Sequence, residues 1–320
     1  MNLISPRFFP ISIHGVCLLQ TAHALNNTPV DEPQATVEKP ISPFAFSLLP
    51  KAFQKKPVLA ISVITEMTDD GRKIEAPTSK SPSYYYAYSM GYHEEGQGPA
   101  PKNKVSKEIM EKLAQKALAS SGYLPGSREH PASLVLFFIW GVHSKLLEND
   151  LETGTGGFDD IGYKNLLSRA ALVGGTAFAK ELSRALDEQA MSGGPTVQIF
   201  DPVYRFTNRD DKTRDLMAQV MDDCYFVVIS AYEGASLARG EKKLLWRTKM
   251  STPAQGVSLA ETTPALVASG GQFFGRDMTE AAIVGKRITR GGKVELGELE
   301  FKGYEENPTE KTNQTPPVKK

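Results

Sequence analysis

Residues 133–142 read SLVLFFIWGV, and this stretch decides the fold. Apolar residues occupy its odd and even positions alike, so a strand formed here is buried on both faces, as in the centre of a sheet covered by helices. Residues 223–232, DCYFVVISAY, have the same character. The two stretches therefore predict buried strands in a sheet with helices packed on it.

The segments around these strands predict further strands and helices. Val105–Ser120 has apolar residues at helical spacing and Lys and Glu on the other face, which indicates an amphipathic helix. Lys242–Ser251 alternates like a half-exposed strand and forms a hairpin with the preceding strand through the turn Glu233–Glu241. The other predicted elements are strands Val58–Thr65 and Tyr84–Tyr92, one long helix Tyr163–Ala190, a helix Ser258–Ala268 capped by Ser258, a helix or strand at Thr279–Lys286, and a final strand Lys293–Phe301.

The order β-β-α-β-α-β-β-α predicts an α/β protein, with α+β left open, and a mixed sheet of five to six strands. The long helix is expected to bury a stripe that includes Leu167, Ala171 and Gly174. Whether Gly154–Ala190 belongs to the core fold or is an insertion stays open.

The N-terminus predicts export. Within residues 1–24, Arg7 precedes an apolar stretch, and Ala22-His23-Ala24 matches a signal-peptidase cleavage pattern, so a periplasmic or secreted protein is expected. That stretch is shorter than the roughly 20 residues of a membrane span, so no integral membrane protein is expected. Val16 is not the small residue that must precede a lipidated cysteine, so no lipid anchor is expected at Cys17. The predicted domains are a signal peptide 1–24, a proline-rich linker or arm 25–56, one α/β domain 57–303 and a disordered tail 304–320.

The composition excludes some functions. There are 37 Lys and Arg residues against 37 Asp and Glu residues, so no basic surface for nucleic acid is expected. Once the signal peptide is removed, Cys224 is the single cysteine and has no partner for an internal disulfide. It begins an apolar strand and is expected to be a core thiol.

Short motifs give a resemblance to a class of bacterial proteins. The helix end Leu118-Ala-Ser-Ser-Gly122-Tyr123 precedes a strand that opens with Ala132-Ser-Leu-Val135, and the hairpin strand Phe226–Tyr232 is followed by Lys243-Leu-Leu-Trp246-Arg247. In these features the chain resembles small exported α/β proteins and lipoproteins of Gram-negative bacteria, mostly domains of unknown function. The resemblance covers about half the chain. It implies the fold and an envelope location, and it supplies no catalytic residue.

A ligand pocket is one candidate site. His143 follows a buried strand, and strand ends carry binding and active sites in α/β sheets. The nearby glycine-rich loop lacks the complete motifs of phosphate-binding loops, and His93-Glu94-Glu95 lacks the spacing of a metal motif, so neither a cofactor nor a metal is predicted. The candidate pocket residues are His143, Gly154, Gly156, Gly157 and Asp159.

An interface is the other candidate site. Tyr84, Tyr86 and Tyr88 share one face of their strand, and tyrosine combines a large contact area with a polar tip, as interfaces favour. Trp246 on the hairpin is grouped with them. The alternative is that one face of the tyrosine strand covers the core.

Three functions are compatible with these observations. The favoured one is an exported, noncatalytic envelope protein that binds another protein or a cell-wall component. The first alternative is a periplasmic module that binds a small ligand in the pocket beside His143. The second alternative is a hydrolase of unfamiliar type that uses His143 with a loop carboxylate.

Overall fold

A computed structural model describes residues 48–96, 104–145, 160–191 and 201–290. In these ranges the strands are β1 Val58–Met67, β2 Ser83–Glu95, β3 Tyr123–Pro125, β4 Leu134–His143, β5 Cys224–Glu233, β6 Leu244–Pro253 and β7 Ala282–Arg287. The helices are α1 Asp69–Arg72, α2 Lys107–Ser120, α3 Asp160–Val173, α4 Gly175–Met191, α5 Pro202–Thr207, α6 Asp211–Val220, α7 Gly234–Ala238 and α8 Leu259–Gly270.

The seven described strands form one mixed sheet in the order β3-β2-β4-β5-β6-β1-β7. β2 runs parallel to both β3 and β4, and the remaining neighbours are antiparallel. The predicted mixed α/β class is confirmed, as is the hairpin of β5 and β6. The prediction of five to six strands fell short because it did not include the three-residue β3.

Helices cover the sheet on both sides. On one side, which we call the α2/α8 face, Ile61, Phe138 and Trp140 pack in one cluster with Met110 of α2 and Leu266 of α8. On the other side, the α3/α4 face, Ile64 joins a second cluster with residues of α3, α4, α5 and α6. Because alternate residues of a strand point to opposite faces, one continuous apolar strand serves both clusters.

The predicted helix Tyr163–Ala190 is divided. α3 ends at Val173 and α4 begins at Gly175, whose φ of +91° is the left-handed conformation that favours glycine. An ion pair beneath this break satisfies backbone groups of both helices, since Glu66 accepts a hydrogen bond from the amide of Thr176 and Lys249 donates one to the carbonyl of Ala171.

The buried face of α3 also differs from the prediction. Leu166, Ala170 and Val173 are buried, whereas Leu167 and Ala171 are only partly buried. Two helices that the sequence did not predict, α5 and α6, are capped by Asp201 and Asp210, whose side chains accept hydrogen bonds from backbone amides of the first turn. They contribute Phe206, Leu216 and other residues to the same cluster.

The strand β6 is not half-exposed, as its alternation predicted. It lies between β5 and β1, and both of its faces are largely buried. Polar residues of its second face have partners inside the protein: Arg247 donates to Ser230 Oγ at 2.9 Å and Lys249 contacts Glu66. Partners of this kind allow polar residues to be buried, and they cannot be read from an alternating pattern.

The remaining helix predictions hold. α2 covers the predicted stretch, and Ser258 caps α8 in a capping box with Glu261. The ambiguous segment Thr279–Lys286 overlaps the strand β7, which ends one residue later at Arg287. The end of the predicted arm forms a short 3-10 turn at Lys51–Phe53. The signal peptide 1–24 with Cys17, the arm up to residue 47, the strand 293–301 and the tail 304–320 lie outside the described residues.

Candidate functional site

Aromatic side chains lie exposed on the α3/α4 face of β2. Tyr86 and Tyr88 are 54% and 57% exposed, and Met90 beyond them is also exposed. Their neighbour Tyr85 points to the α2/α8 face and is buried in its core. One face of the tyrosine strand is thus available for an interface and the other covers the core, because consecutive side chains of a strand point to opposite sides.

The tyrosines of β2 continue into the neighbouring strands. The ring of Tyr88 stacks on Phe137 of β4 at a centroid distance of 5.7 Å, and Phe137 meets the ring of Tyr232 of β5 edge-on at 5.3 Å. Tyr84 stacks on His130 at 4.7 Å. We call the set Tyr84, Tyr86, Tyr88, Phe137 and Tyr232 the aromatic surface.

The position of β2 in the sheet explains this exposure. On this same face, α3 packs on β1 and β6, and α4 packs on β1. These strands lie toward the other end of the strand order from β2, so neither helix covers β2. The exposed rings of Tyr86 and Tyr88, with the half-buried Phe137 and Tyr232 that extend the ring contacts of Tyr88 across two further strands, make an apolar patch, and such patches mark interaction sites.

Trp246 does not belong to the aromatic surface. It is 3% exposed and packs between Tyr123 and Phe274, with ring centroids 5.5 and 6.0 Å away. Trp246 lies opposite Ala231 of β5 and packs with Met250, four residues further along β6, in the core of the α2/α8 face. Grouping it with the exposed tyrosines was therefore wrong, because strand alternation places Trp246 on the same face as Met250, and that face of β6 is buried in the core.

His143 lies at the end of β4, as predicted, but it is 2% exposed. Its Nε2 is 3.2 Å from Glu95 Oε2, yet neither ring nitrogen forms an aligned hydrogen bond within the part of the chain that the structure describes. Burial, together with the charge of Arg169, lowers the pKa of His143 to about 4. The ring is therefore neutral at neutral pH, and the surrounding protein shields it from a substrate.

Arg169 of α3 was not predicted as a site residue. It is 5% exposed, and its Nε and Nη1 have no hydrogen-bond partner among the described residues. Burial lowers the pKa of Arg169, while Cys224, Asp223 and Asp222 act in the opposite direction. An arginine on a helix with a small-residue stripe gives no sequence signal of burial, because long charged side chains usually reach solvent.

Cys224 lies beside this group at the start of β5. It is fully buried, its Sγ is 3.8 Å from the carbonyl oxygen of His143, and burial raises the pKa of its thiol to about 12. The prediction that it is a core thiol agrees with this geometry. A thiol that stays protonated does not act as a nucleophile.

An open depression of about 370 Å³ lies at the same end of the sheet. Asp223 lines it and accepts a hydrogen bond from the amide of Lys145 at 2.7 Å, and the charge of Asp223 acts to raise the pKa values of the buried His143 and Arg169. His143 does not line the depression, and Gly154, Gly156, Gly157 and Asp159 lie outside the described residues, so the predicted pocket stays a prediction. The lining residues are Val142, Ser144, Lys145, Asp222, Asp223, Tyr225, Ala254 and Gln255.

The described residues contain no group of three or more His, Cys, Asp or Glu side chains arranged to hold a metal ion. His93 Nε2 lies 3.3 Å from the carbonyl oxygen of Met90, and Glu94 pairs with Lys104 at 3.1 Å. In the same described ranges, no helix combines the length and the apolar character needed to cross a membrane.

Comparison with known proteins assigns the chain to no family. No model of a protein family matches the sequence, and no curated protein matches it. Among solved structures, the chain is distantly similar to a PDZ domain protein from Parabacteroides distasonis ATCC 8503, with 8% sequence identity and a TM-score of 0.32. The match covers 71% of this chain and 38% of that one, so the chain spans well under half the length of the protein it resembles.

Proposed function

We propose that this chain is an exported, noncatalytic interaction module of the bacterial cell envelope, and that it binds a partner protein or cell-wall component through the aromatic surface. The observation that carries the proposal is the row of exposed tyrosines on β2, joined through Phe137 to Tyr232. The export part rests on residues 1–24 of the sequence alone.

The chemistry of the surface supports binding. A tyrosine has few rotatable bonds, so it loses little conformational entropy when a partner covers it, and its hydroxyl group can stay hydrated at the rim. The contacts of Phe137 with Tyr88 and Tyr232 hold the centre of the surface in place before a partner arrives. Preorganisation of this kind lowers the entropy cost of association.

The test is crosslinking of tagged protein in intact cells of the source bacterium, followed by identification of the partner. We expect one reproducible envelope partner that is lost in the double variant Tyr86→Ala, Tyr88→Ala. The matched control is Tyr204→Ala, which removes a similarly exposed tyrosine from α5. Retention of the partner by the double variant, or its equal loss in the control, would contradict the proposal. Mass analysis of the N-terminus tests export separately.

A second candidate, a periplasmic small-ligand-binding module, is favoured by Arg169. A buried guanidinium whose Nε and Nη1 meet no acceptor among the described residues is costly to bury, so a ligand bound there would carry acceptor oxygens. Native mass spectrometry of protein purified from its source bacterium tests this candidate. A small molecule that is bound by the wild type, lost in Arg169→Leu and kept in the exposed control Arg184→Leu would favour it, and unliganded protein of the calculated mass would count against it.

A further inference from the structure

Over most of its length, the outer edge of β2 pairs with no other strand in the part of the chain that the structure describes. On its inner side it pairs with β4 from Tyr85 to Glu95, whereas on its outer side β3 pairs only with Ser83–Tyr85. No other described strand continues along that side, since β3 ends the sheet. An edge of this kind presents unpaired backbone groups, which serve as a template for another strand.

The hydrogen bonds at the start of β2 identify which residues face outward. The carbonyl of Tyr84 accepts from Ser133 beside β4, and the carbonyl of Tyr85 accepts from Gly126 beside β3. Because backbone groups alternate between the two sides of a strand, Ala87 and Ser89 direct their N–H and C=O groups outward. Ala87 is exposed and Ser89 is half-buried.

We infer that an extended segment of a partner protein binds by adding a strand to this outer edge, hydrogen-bonded to Ala87 and Ser89, with its side chains against Tyr86 and Tyr88. The inference deepens the proposed function and rests on it. Such strand addition obtains affinity from backbone hydrogen bonds and specificity from alternate side chains.

The chemistry of the edge favours a polypeptide over a glycan. The two outward residues offer donors and acceptors in the regular alternation of an extended backbone, and a second backbone satisfies both. A glycan is able to stack on the tyrosines, but it has no matching row of N–H and C=O groups. The segment that pairs is short, because the register of β2 shifts between Ser89 and Gly91.

A second copy of this chain fits the edge less well. A twofold axis through Tyr88 would place residues 91–93 of the copy opposite Ser83–Tyr85, where β3 already lies. An axis far enough along β2 to clear β3 would set the two register shifts against each other.

The negative charge at the far end of β2 indicates the charge of the bound segment. The side chains of Glu94 and Glu95 at the far end of β2 are 40% and 51% exposed. Lys104 contacts the first of them, so one negative charge stays unbalanced by a nearby Lys or Arg among the described residues. We therefore expect a basic residue at the corresponding end of the bound segment.

The experiment uses the full chain and a phage-displayed heptapeptide library as the probe, with affinities of enriched peptides measured by fluorescence polarisation. Ala87→Pro removes an outward N–H, and edge strands tolerate such a proline. We expect it to weaken binding by up to about tenfold, the loss of one hydrogen bond. The matched control Ala87→Val keeps the N–H and should retain binding. N-methylation of the peptide, residue by residue, should weaken binding at alternate positions, and this readout needs no protein variant.

The outcomes separate the inference from the proposed function. If Tyr86→Ala, Tyr88→Ala abolishes binding while Ala87→Pro and alternate N-methylation do not, the aromatic surface binds but strand addition is wrong. If neither the tyrosine double variant nor Ala87→Pro changes the affinity for the enriched peptides, or if no peptide is enriched, the proposed function and the strand-addition inference both fail for polypeptide partners. If light scattering shows a dimer that Ala87→Pro dissociates, the edge pairs with a second copy and the inference is overturned.

Discussion

Replacing Glu66 by glutamine is expected to destabilise the fold more than replacing its partner Lys249 by methionine. The two side chains form an ion pair between β1 and β6, with Glu66 Oε2 and Lys249 Nζ 2.7 Å apart and 29% and 10% of the side chains exposed. Lys249 also donates to the carbonyl of Ala171 at 2.7 Å, and Glu66 accepts from the amide of Thr176 at 2.5 Å. The pair thus joins the sheet to the ends of α3 and α4.

The magnitudes follow from what each change leaves behind. Glu66→Gln leaves a nearly buried ammonium group without its counterion, and breaking a buried pair in this way costs about 3–5 kcal/mol. Lys249 keeps its bond to Ala171, so we expect about 3 kcal/mol. Lys249→Met fills the same space with an apolar chain and leaves a carboxylate that reaches water, so we expect about 1–2 kcal/mol. The double variant should be about as stable as Lys249→Met alone, which gives a coupling energy of about 3 kcal/mol.

Urea denaturation at pH 7 measures these differences, and the buried Trp140 and Trp246 provide the fluorescence signal. A Glu66→Gln protein within about 0.5 kcal/mol of the wild type, or one more stable than Lys249→Met, would refute the reasoning, since that is the range of ordinary surface changes.

The pair also predicts a pH dependence. Burial alone would raise the pKa of Glu66, but hydrogen bonds from Lys249 and Thr176 outweigh it, so its pKa lies below the usual value. A lowered carboxyl pKa stabilises the fold above the unfolded-state pKa of about 4.3, and this stability is lost as pH falls through the folded-state pKa. The stability advantage of the wild type over Lys249→Met should therefore shrink as pH falls below about 4.3 and change sign once Glu66 is protonated, because the wild type then keeps a nearly buried ammonium group without its counterion, as Glu66→Gln does.

Three further predictions concern single residues. Gly175→Ala should lower the free energy of unfolding, measured by urea denaturation, by about 2 kcal/mol, because φ is +91° and the new Cβ lies 3.0 Å from a side chain of β1. The control Gly240→Ala, at φ +83° with open space around it, should lower it by about 1 kcal/mol. Equal losses would contradict the steric argument. In a Cys17→Ser chain, a thiol reagent at pH 8 should label Cys224 only after denaturation, since burial raises its pKa to about 12, and rapid labelling of the folded protein would disprove this. The imidazole NMR signals of His143 should not titrate between pH 8 and 5, because burial lowers its pKa to about 4; a midpoint above pH 6 would be inconsistent with that burial.

Much of the fold is predictable from local patterns in the sequence. Leu134–His143 and Cys224–Glu233 were predictable as buried strands because continuous apolar runs of this length have no other stable location. The amphipathic helix α2 and the cap of α8 at Ser258 were predictable because helical spacing and capping involve only residues a few positions apart. Strand alternation predicted that Tyr84, Tyr86 and Tyr88 share one face of their strand, but it did not decide which face of the strand is exposed.

The candidate site required the tertiary structure. The aromatic surface needs Phe137 and Tyr232 from strands distant in sequence, and it is exposed only because α3 and α4 lie over β1 and β6. The burial of Arg169 also required the tertiary structure, because it depends on the packing of α3 beside Cys224 at the start of β5.

Sequence alone determined the mixed α/β class and the main strands, because each depends on a repeating local pattern, and export stays a prediction from residues 1–24. Tertiary structure alone decided that β2 lies beside the short β3 with an open edge, that Trp246 faces the core, and that Gly175 divides a helix over the Glu66–Lys249 pair. Those features depend on which elements become neighbours, and a single sequence does not specify contacts between residues that are far apart in the chain.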